Sequence, residues 1–148
     1  MYPIRQNVFV LLVVPHPTAS PRRYLVVEER DGTFYLPAGR VEHGESLIAA
    51  ALRETLEEAG ARVALVGMLG LDHRPTEAGS KLRFVFAARL VVDAPLKQVP
   101  DEHGRSARWA TLAELDTLPL RDDEVKTWIA KLESGRTLLP VEAYEFFP

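Results

Sequence analysis

The chain has 148 residues, 47% hydrophobic and 26% charged, enough apolar material for one domain with its own core. A formal net charge of -3 lacks the basic surplus that a dedicated nucleic-acid binder carries. With no cysteine, disulfides, thiolate metal sites and cysteine nucleophiles are excluded, and a reducing, cytoplasmic location is compatible.

In chain order, the first element is the apolar run VFVLLVV, Val8 to Val14. It is far short of the roughly 20 residues a membrane helix needs, so no membrane partner is expected. Its β-branched composition and the following Pro-His-Pro make it a strand rather than the apolar segment of a signal peptide. The loop PHPTASPRR, with three prolines, leads to a second strand at Tyr24–Glu28. DGTFYLPAG reads as a turn, a short strand and another turn. A helix is expected from Ser46 to Ala59, stopping at Gly60, the residue type favoured just past a helix end. Strands at Val63–Leu71 and Leu82–Val92 follow, joined by DHRPTEAGSK, a polar loop. A short strand at Ala107–Ala110, a helical turn within TLAELDTL and a helix from Asp122 to Ser134 complete the chain. Strands with two substantial helices indicate an α/β or α+β domain, with helices on both faces of a sheet. No repeat, low-complexity tract or linker divides it, so residues 1–148 are read as one domain.

The segment GRVEHGESLIAAALRETLEEAGA, Gly39 to Ala61, is the informative one. At 100° per residue, Ile48, Ala51, Leu52, Thr55 and Ala59 share the face expected to pack on the core. Glu54, Glu57 and Glu58 stand at i, i+3 and i+4 near the helix C-terminus, where like charges repel and the helix dipole disfavours anions. A solvated surface relieved by Arg53 is the plain reading of such a cluster. A divalent cation turns the same cost into a requirement, because a hard dication wants several oxygen ligands. Gly39, lacking a Cβ, allows its backbone carbonyl to approach a ligand. Arg53 can clamp Glu45 with a two-pronged hydrogen bond. Glutamates without a histidine pair point to Mg²⁺ or Mn²⁺ rather than zinc.

Gly39, Glu45 and RETLEEAGA together resemble the Nudix box, G-x5-E-x7-R-E-U-x-E-E-x-G-U, where U is a bulky apolar residue. All seven fixed positions match: Gly39, Glu45, Arg53, Glu54, Glu57, Glu58 and Gly60. At average residue usage a given window matches by chance about once in 10⁸. Thr55 and Ala61, at the two U positions, are smaller than the pattern prefers, which bears on packing and not on ligands. YLPAGRVE before the helix and ARWATLAEL after it are also similar to the family. The resemblance covers roughly residues 7–132 and implies an α/β/α sandwich with a mixed central sheet.

It further implies hydrolysis of a nucleoside diphosphate linked to another group. Gly39, Glu54, Glu57 and Glu58 would hold the metal, with Arg53 and Glu57 in the catalytic set and Glu45 and Gly60 in support. Glu54 is the first choice of base, and Glu102, flanked by Asp101 and His103 in PDEHGR, is the second. His16, His43, His73 and His103 are read as loop residues in water, since none has a zinc spacing. Phe34, Tyr35, Phe84 and Phe86 are read mostly as core, with room for one base-stacking partner. There is no P-loop, G-x-S-x-G or Rossmann glycine pattern. FYLPAGR, LRFVFAARL and LPLRDDEV resemble the branch acting on oxidised purine nucleotides such as 8-oxo-dGDP. ADP-ribose is the rival substrate, because Pro75 lies near that group's marker distance, although within HRPTE rather than Ser-Pro-Gly. A non-catalytic nucleotide sensor is the third reading. The expected partners are a small nucleotide and, optionally, a second copy of the chain in a homodimer.

Overall fold

The computed structural model describes residues 5–148; residues 1–4, where the expected domain begins, lie outside the described residues. Seven strands run in chain order: β1 Arg5–Val13, β2 Arg23–Glu28, β3 Phe34–Tyr35, β4 Ala38–Arg40, β5 Val63–Thr76, β6 Gly79–Leu90 and β7 Ser106–Thr111. Helix α1 spans Leu47–Ala59, α2 Leu112–Leu115 and α3 Glu124–Glu133. The strands form a four-stranded sheet, β4-β1-β6-β5, and a three-stranded sheet, β3-β2-β7. β1 and β6 pair in parallel while their neighbours pair antiparallel, which makes the four-stranded sheet mixed.

Alternation along the strands builds two cores. Val10, Leu12 and Val14 join Leu25, Val27 and Phe86 against the Leu47, Ala50, Ala51 and Ala59 face of α1. Leu11, Val13, Tyr24, Val26 and Val85 point the other way, toward Val125, Trp128 and Ile129 of α3. A strand covered on both sides needs apolar residues at every position. That is why VFVLLVV is continuous instead of alternating. The result is the expected α/β/α sandwich.

The Ser46 hydroxyl accepts from Ala49 N–H at 3.0 Å and caps α1, while Gly60 ends it in the left-handed region at φ 67°. A second donor of the first turn, Leu47 N–H, bonds the Tyr144 hydroxyl at 3.0 Å. Tyr144 arrives on a C-terminal segment whose Leu139 exchanges backbone hydrogen bonds with Met68 of β5.

Two expectations need correction. DHRPTEAGSK is not a loop: β5 and β6 continue through it to a turn at Glu77 and Ala78, with Thr76 opposite Gly79. The extension reads as a loop because its cross-strand pairs are polar, Asp72 opposite Arg83 and Arg74 opposite Lys81. The buried face of α1 is also rotated from the predicted one. Leu52 is exposed and Ile48 only half-buried, whereas Leu47 and Ala50 are buried. The buried stripe runs Leu47, Ala50, Ala51, Thr55 and Ala59, with Glu54 and Glu58 half-buried along its edge.

Thr55 is fully buried, with its hydroxyl donating to the Ala51 carbonyl at 2.8 Å. Thr55→Leu should overpack this site and lower stability by about 1–3 kcal/mol, with turnover kept within a few-fold. Thermal melts paired with steady-state assays check this; a large loss of turnover at an unchanged melting temperature would contradict it.

Candidate active site

Arg53 organises the acidic segment. Its Nε donates to Glu45 Oε2 at 2.7 Å and Nη2 to Glu45 Oε1 at 2.9 Å, the two-pronged clamp expected from the sequence. Nη2 also reaches the Arg40 carbonyl at 3.1 Å, tying the helix to β4. Nη1 turns to Glu54 at 2.8 Å and Glu57 at 3.2 Å. The guanidinium holds the Glu45 carboxyl below its ordinary range, against a smaller opposing effect of burial. It is itself held more firmly protonated, chiefly by Glu45.

Glu58 lies on the buried side of the helix. Burial pushes its carboxyl well above the usual range, and the Glu54 charge and a hydrogen bond between the two carboxyls push it further. The Ala38 N–H, donating to it, acts in the opposite direction. Gly39 sits directly over Glu54, where a Cβ would collide with the carboxylate. The missing side chain thus admits Glu54 itself to the surface of β4. Gly39, Glu54 and Glu58 meet here.

Glu57 lies to one side, between Arg53 and His103, whose Nδ1 is 3.5 Å from its carboxylate. Glu102 is 81% exposed, 3.3 Å from His103 Nε2. His103, read from the sequence as solvated, therefore links the two candidate acids. Among the described residues, no three histidine, aspartate or glutamate side chains already stand together as a metal-binding group.

Two clefts meet beside this cluster. The first, about 420 Å³, is lined by Glu29, Tyr35, Ala38, Glu58, Glu102, His103 and Arg121 among others. The second, about 250 Å³, lies over Gly39 and is lined by Phe9, Leu11, Tyr35, Lys81, Arg83, Arg121, Asp122 and Glu124. Phe34, Tyr35 and Phe86 are buried and Phe84 is partly so, and of these Tyr35 lines both clefts.

Sequence reasoning missed the floor of the second cleft. Arg83 donates to Asp72 Oδ1 at 2.9 Å and Oδ2 at 2.6 Å, to Glu124 at 2.7 and 2.6 Å, and to the Tyr35 hydroxyl at 3.2 Å. The Tyr35 hydroxyl in turn donates to Glu124, and Arg74 reaches Glu124 at 2.9 Å. Burial resists ionisation of Glu124, but Arg83, Tyr35 and Arg74 outweigh it and bring the carboxyl down to about 2. The available signal was an arginine inside the apolar run LRFVFAARL.

Glu54 and Glu58 thus pair beside the glycine strand, with Glu54 also held by Arg53, while Glu57 stands apart beside His103. The chain belongs to the NUDIX domain family, whose profile matches residues 5–132. The 8-oxo-dGDP phosphatase NUDT18 of Mus musculus is 42% identical over 96 residues, 64% of this chain and 28% of that protein. A NUDIX hydrolase from Nitrosomonas europaea is similar with a TM-score of 0.80 and 28% identity, covering 97% of this chain and 98% of that one. The NUDIX domain of Shewanella oneidensis NrtR, solved with ADP ribose, shares the fold at a TM-score of 0.72 and 19% identity, with 90% of each chain covered. This chain spans less than half the length of the curated relatives it matches. Among the described residues, no helix is long and apolar enough to cross a membrane.

Glu124 ionised in the folded state at about 2, against an ordinary 4.5, stabilises the fold above pH 4.5, and that contribution disappears as pH falls toward 2. Glu124→Gln should therefore cost about 3 kcal/mol at neutral pH. Urea unfolding at a series of pH values should show its gap from the parent closing below pH 4.5. A gap independent of pH would contradict the ion-pair account.

Proposed function

We propose that residues 1–148 form a single Nudix hydrolase domain that cleaves the diphosphate of a nucleotide, its substrate being an oxidised purine nucleoside diphosphate such as 8-oxo-dGDP. The observation that carries this reading is the Glu54–Glu58 carboxyl pair, with Glu54 pressed against Gly39 and with Glu58 and Gly39 each lining one of the two clefts. The 42% identity to a protein named as an 8-oxo-dGDP phosphatase supports the choice of substrate.

The residues fit a hard dication. Every donor is an oxygen, and the missing Cβ of Gly39 lets the Glu54 carboxylate lie directly against the strand backbone. Glu54, Glu57, Glu58 and the Gly39 carbonyl would hold Mg²⁺, or Mn²⁺ in its place. When bound, the metal neutralises phosphate oxygens and lowers the pKa of the attacking water. Glu54, between Arg53 and Glu58, takes the water's proton. The water adds to one phosphorus, the bridging P–O bond breaks, and 8-oxo-dGDP yields 8-oxo-dGMP and phosphate. Arg53 holds Glu54 and Glu57 in place through its Nη1. Glu102, at the rim of the Glu58 cleft and joined through His103 to Glu57, is the second candidate for the base.

Pro75, which suggested ADP-ribose, pairs with Ser80 near the hairpin tip and lines neither cleft. A sensor does not need the full set of box acids, all of which this chain keeps.

Phosphate release across oxidised and ordinary nucleotides, ADP-ribose and dinucleoside polyphosphates, with Mg²⁺, tests the substrate. Hydrolysis should vanish in EDTA and return with Mg²⁺ or Mn²⁺; full activity in metal-free protein would sink the mechanism. Glu57→Gln and Glu58→Gln should each lose at least about 100-fold in turnover, as lost charge stabilisation of a few kcal/mol implies. Without metal, Glu58→Gln should melt no lower than the parent, because a neutral amide replaces a carboxyl that burial and the Glu54 charge make costly to ionise. Mg²⁺ should raise the parent's melting temperature more than the variant's.

A further inference from the structure

The two clefts share three lining residues: Tyr35, Ala38 and Arg121. Of these only Arg121 carries charge. A nucleotide with its phosphates at the Glu54–Glu58 pair and its nucleoside in the cleft over Gly39 must pass it.

Arg121 is well placed for such a contact. Phe34 N–H donates to the Pro119 carbonyl and Arg121 N–H to the Phe34 carbonyl, each at 2.9 Å, so the segment before α3 is fastened to β3. The guanidinium carbon stands 4.8 Å from the Tyr35 ring centroid, a stacked arrangement that limits its freedom. The side chain is 58% exposed, so water and ligand reach it.

Its hydrogen bonding separates it from the other two arginines of the site. Arg53 and Arg83 each make five side-chain hydrogen bonds and have no donor to spare. Among the described residues, Arg121 makes one side-chain hydrogen bond, from Nη1 to Glu29 at 2.9 Å. Its remaining donors form a planar fork suited to two phosphate oxygens.

We propose that Arg121 is a substrate-contacting residue that clamps the phosphate next to the nucleoside, exchanging its contact with Glu29 for the nucleotide. This role rests on the nucleotide reading above. It differs from that of the box acids because Arg121 acts on binding and holds no metal.

The test is calorimetric binding of 8-oxo-dGDP, with Ca²⁺ as the metal, to the parent, Arg121→Gln and Glu29→Gln. Arg121→Gln should bind about 10-fold more weakly or worse, the usual scale for a hydrogen bond to a charged group. Glu29→Gln should bind as tightly as the parent or more tightly, since the guanidinium is released. Binding by Arg121→Gln within about 2-fold of the parent would overturn the role, as would equal weakening in Glu29→Gln or no binding by the parent. Should Arg121→Gln fold poorly, Arg121→Lys keeps the charge without the fork; a loss of about 3-fold or more supports the role and parental binding overturns it. Phosphate release by the parent is measured separately. A parent that binds 8-oxo-dGDP without hydrolysing it would sink the hydrolase reading and leave Arg121 as the clamp.

Discussion

One guanidinium makes the acidic end of α1 tenable. Three glutamates at a helix C-terminus repel one another and oppose the helix dipole. Arg53 answers with donors directed to Glu45, Glu54, Glu57 and the Arg40 carbonyl. The same contacts bind the loop before the helix to β4, so Gly39 and the acids keep one geometry. Lysine could supply the charge but not the fork, and the loop would lose its register.

Arg83 does for the second cleft what Arg53 does for the first. It joins Asp72 on β5, Tyr35 on β3 and Glu124 at the start of α3, three elements with no covalent reason to meet. Buried ion pairs add little net stability, because desolvation cancels most of the attraction. They do penalise every arrangement that leaves one partner unpaired, and so they hold a cleft to one shape. Two saturated arginines frame a site in which Arg121 keeps donors for a ligand.

The carboxyl pair shows what remains unresolved in the protein alone. Glu54 and Glu58 are half-buried beside the buried stripe of α1, and burial with like charge makes Glu58 hard to ionise. The helix carries that cost beside a glycine strand that clears space for them. Stability alone would favour apolar residues there, which is the pattern expected of a site retained for function.

Much of this was legible in the sequence because it depends on local spacing. Ser46 and Gly60 mark the ends of α1, the strand runs mark the sheets, and the box spacing places Arg53 against Glu45 from nearby turns of chain. Other features depend on contacts between distant segments. The hairpin beyond Leu71 looked like a loop, since charged pairs across two strands leave no alternating apolar pattern. Leu52 looked buried because the 100° spacing puts it beside Ala51 and Thr55, and only the packing of Gly39 on β4 against Glu54 shows which edge of that face is covered. The meeting of Arg83, Asp72, Tyr35 and Glu124, and of Arg121 with Tyr35, is set by strand order and by where α3 docks. Sequence alone determined the helix, its acids and their clamp, because side chains one or two turns apart must meet. Tertiary structure decided which acids are buried and which cations stay open to a ligand, because those depend on strands that pair across the whole chain.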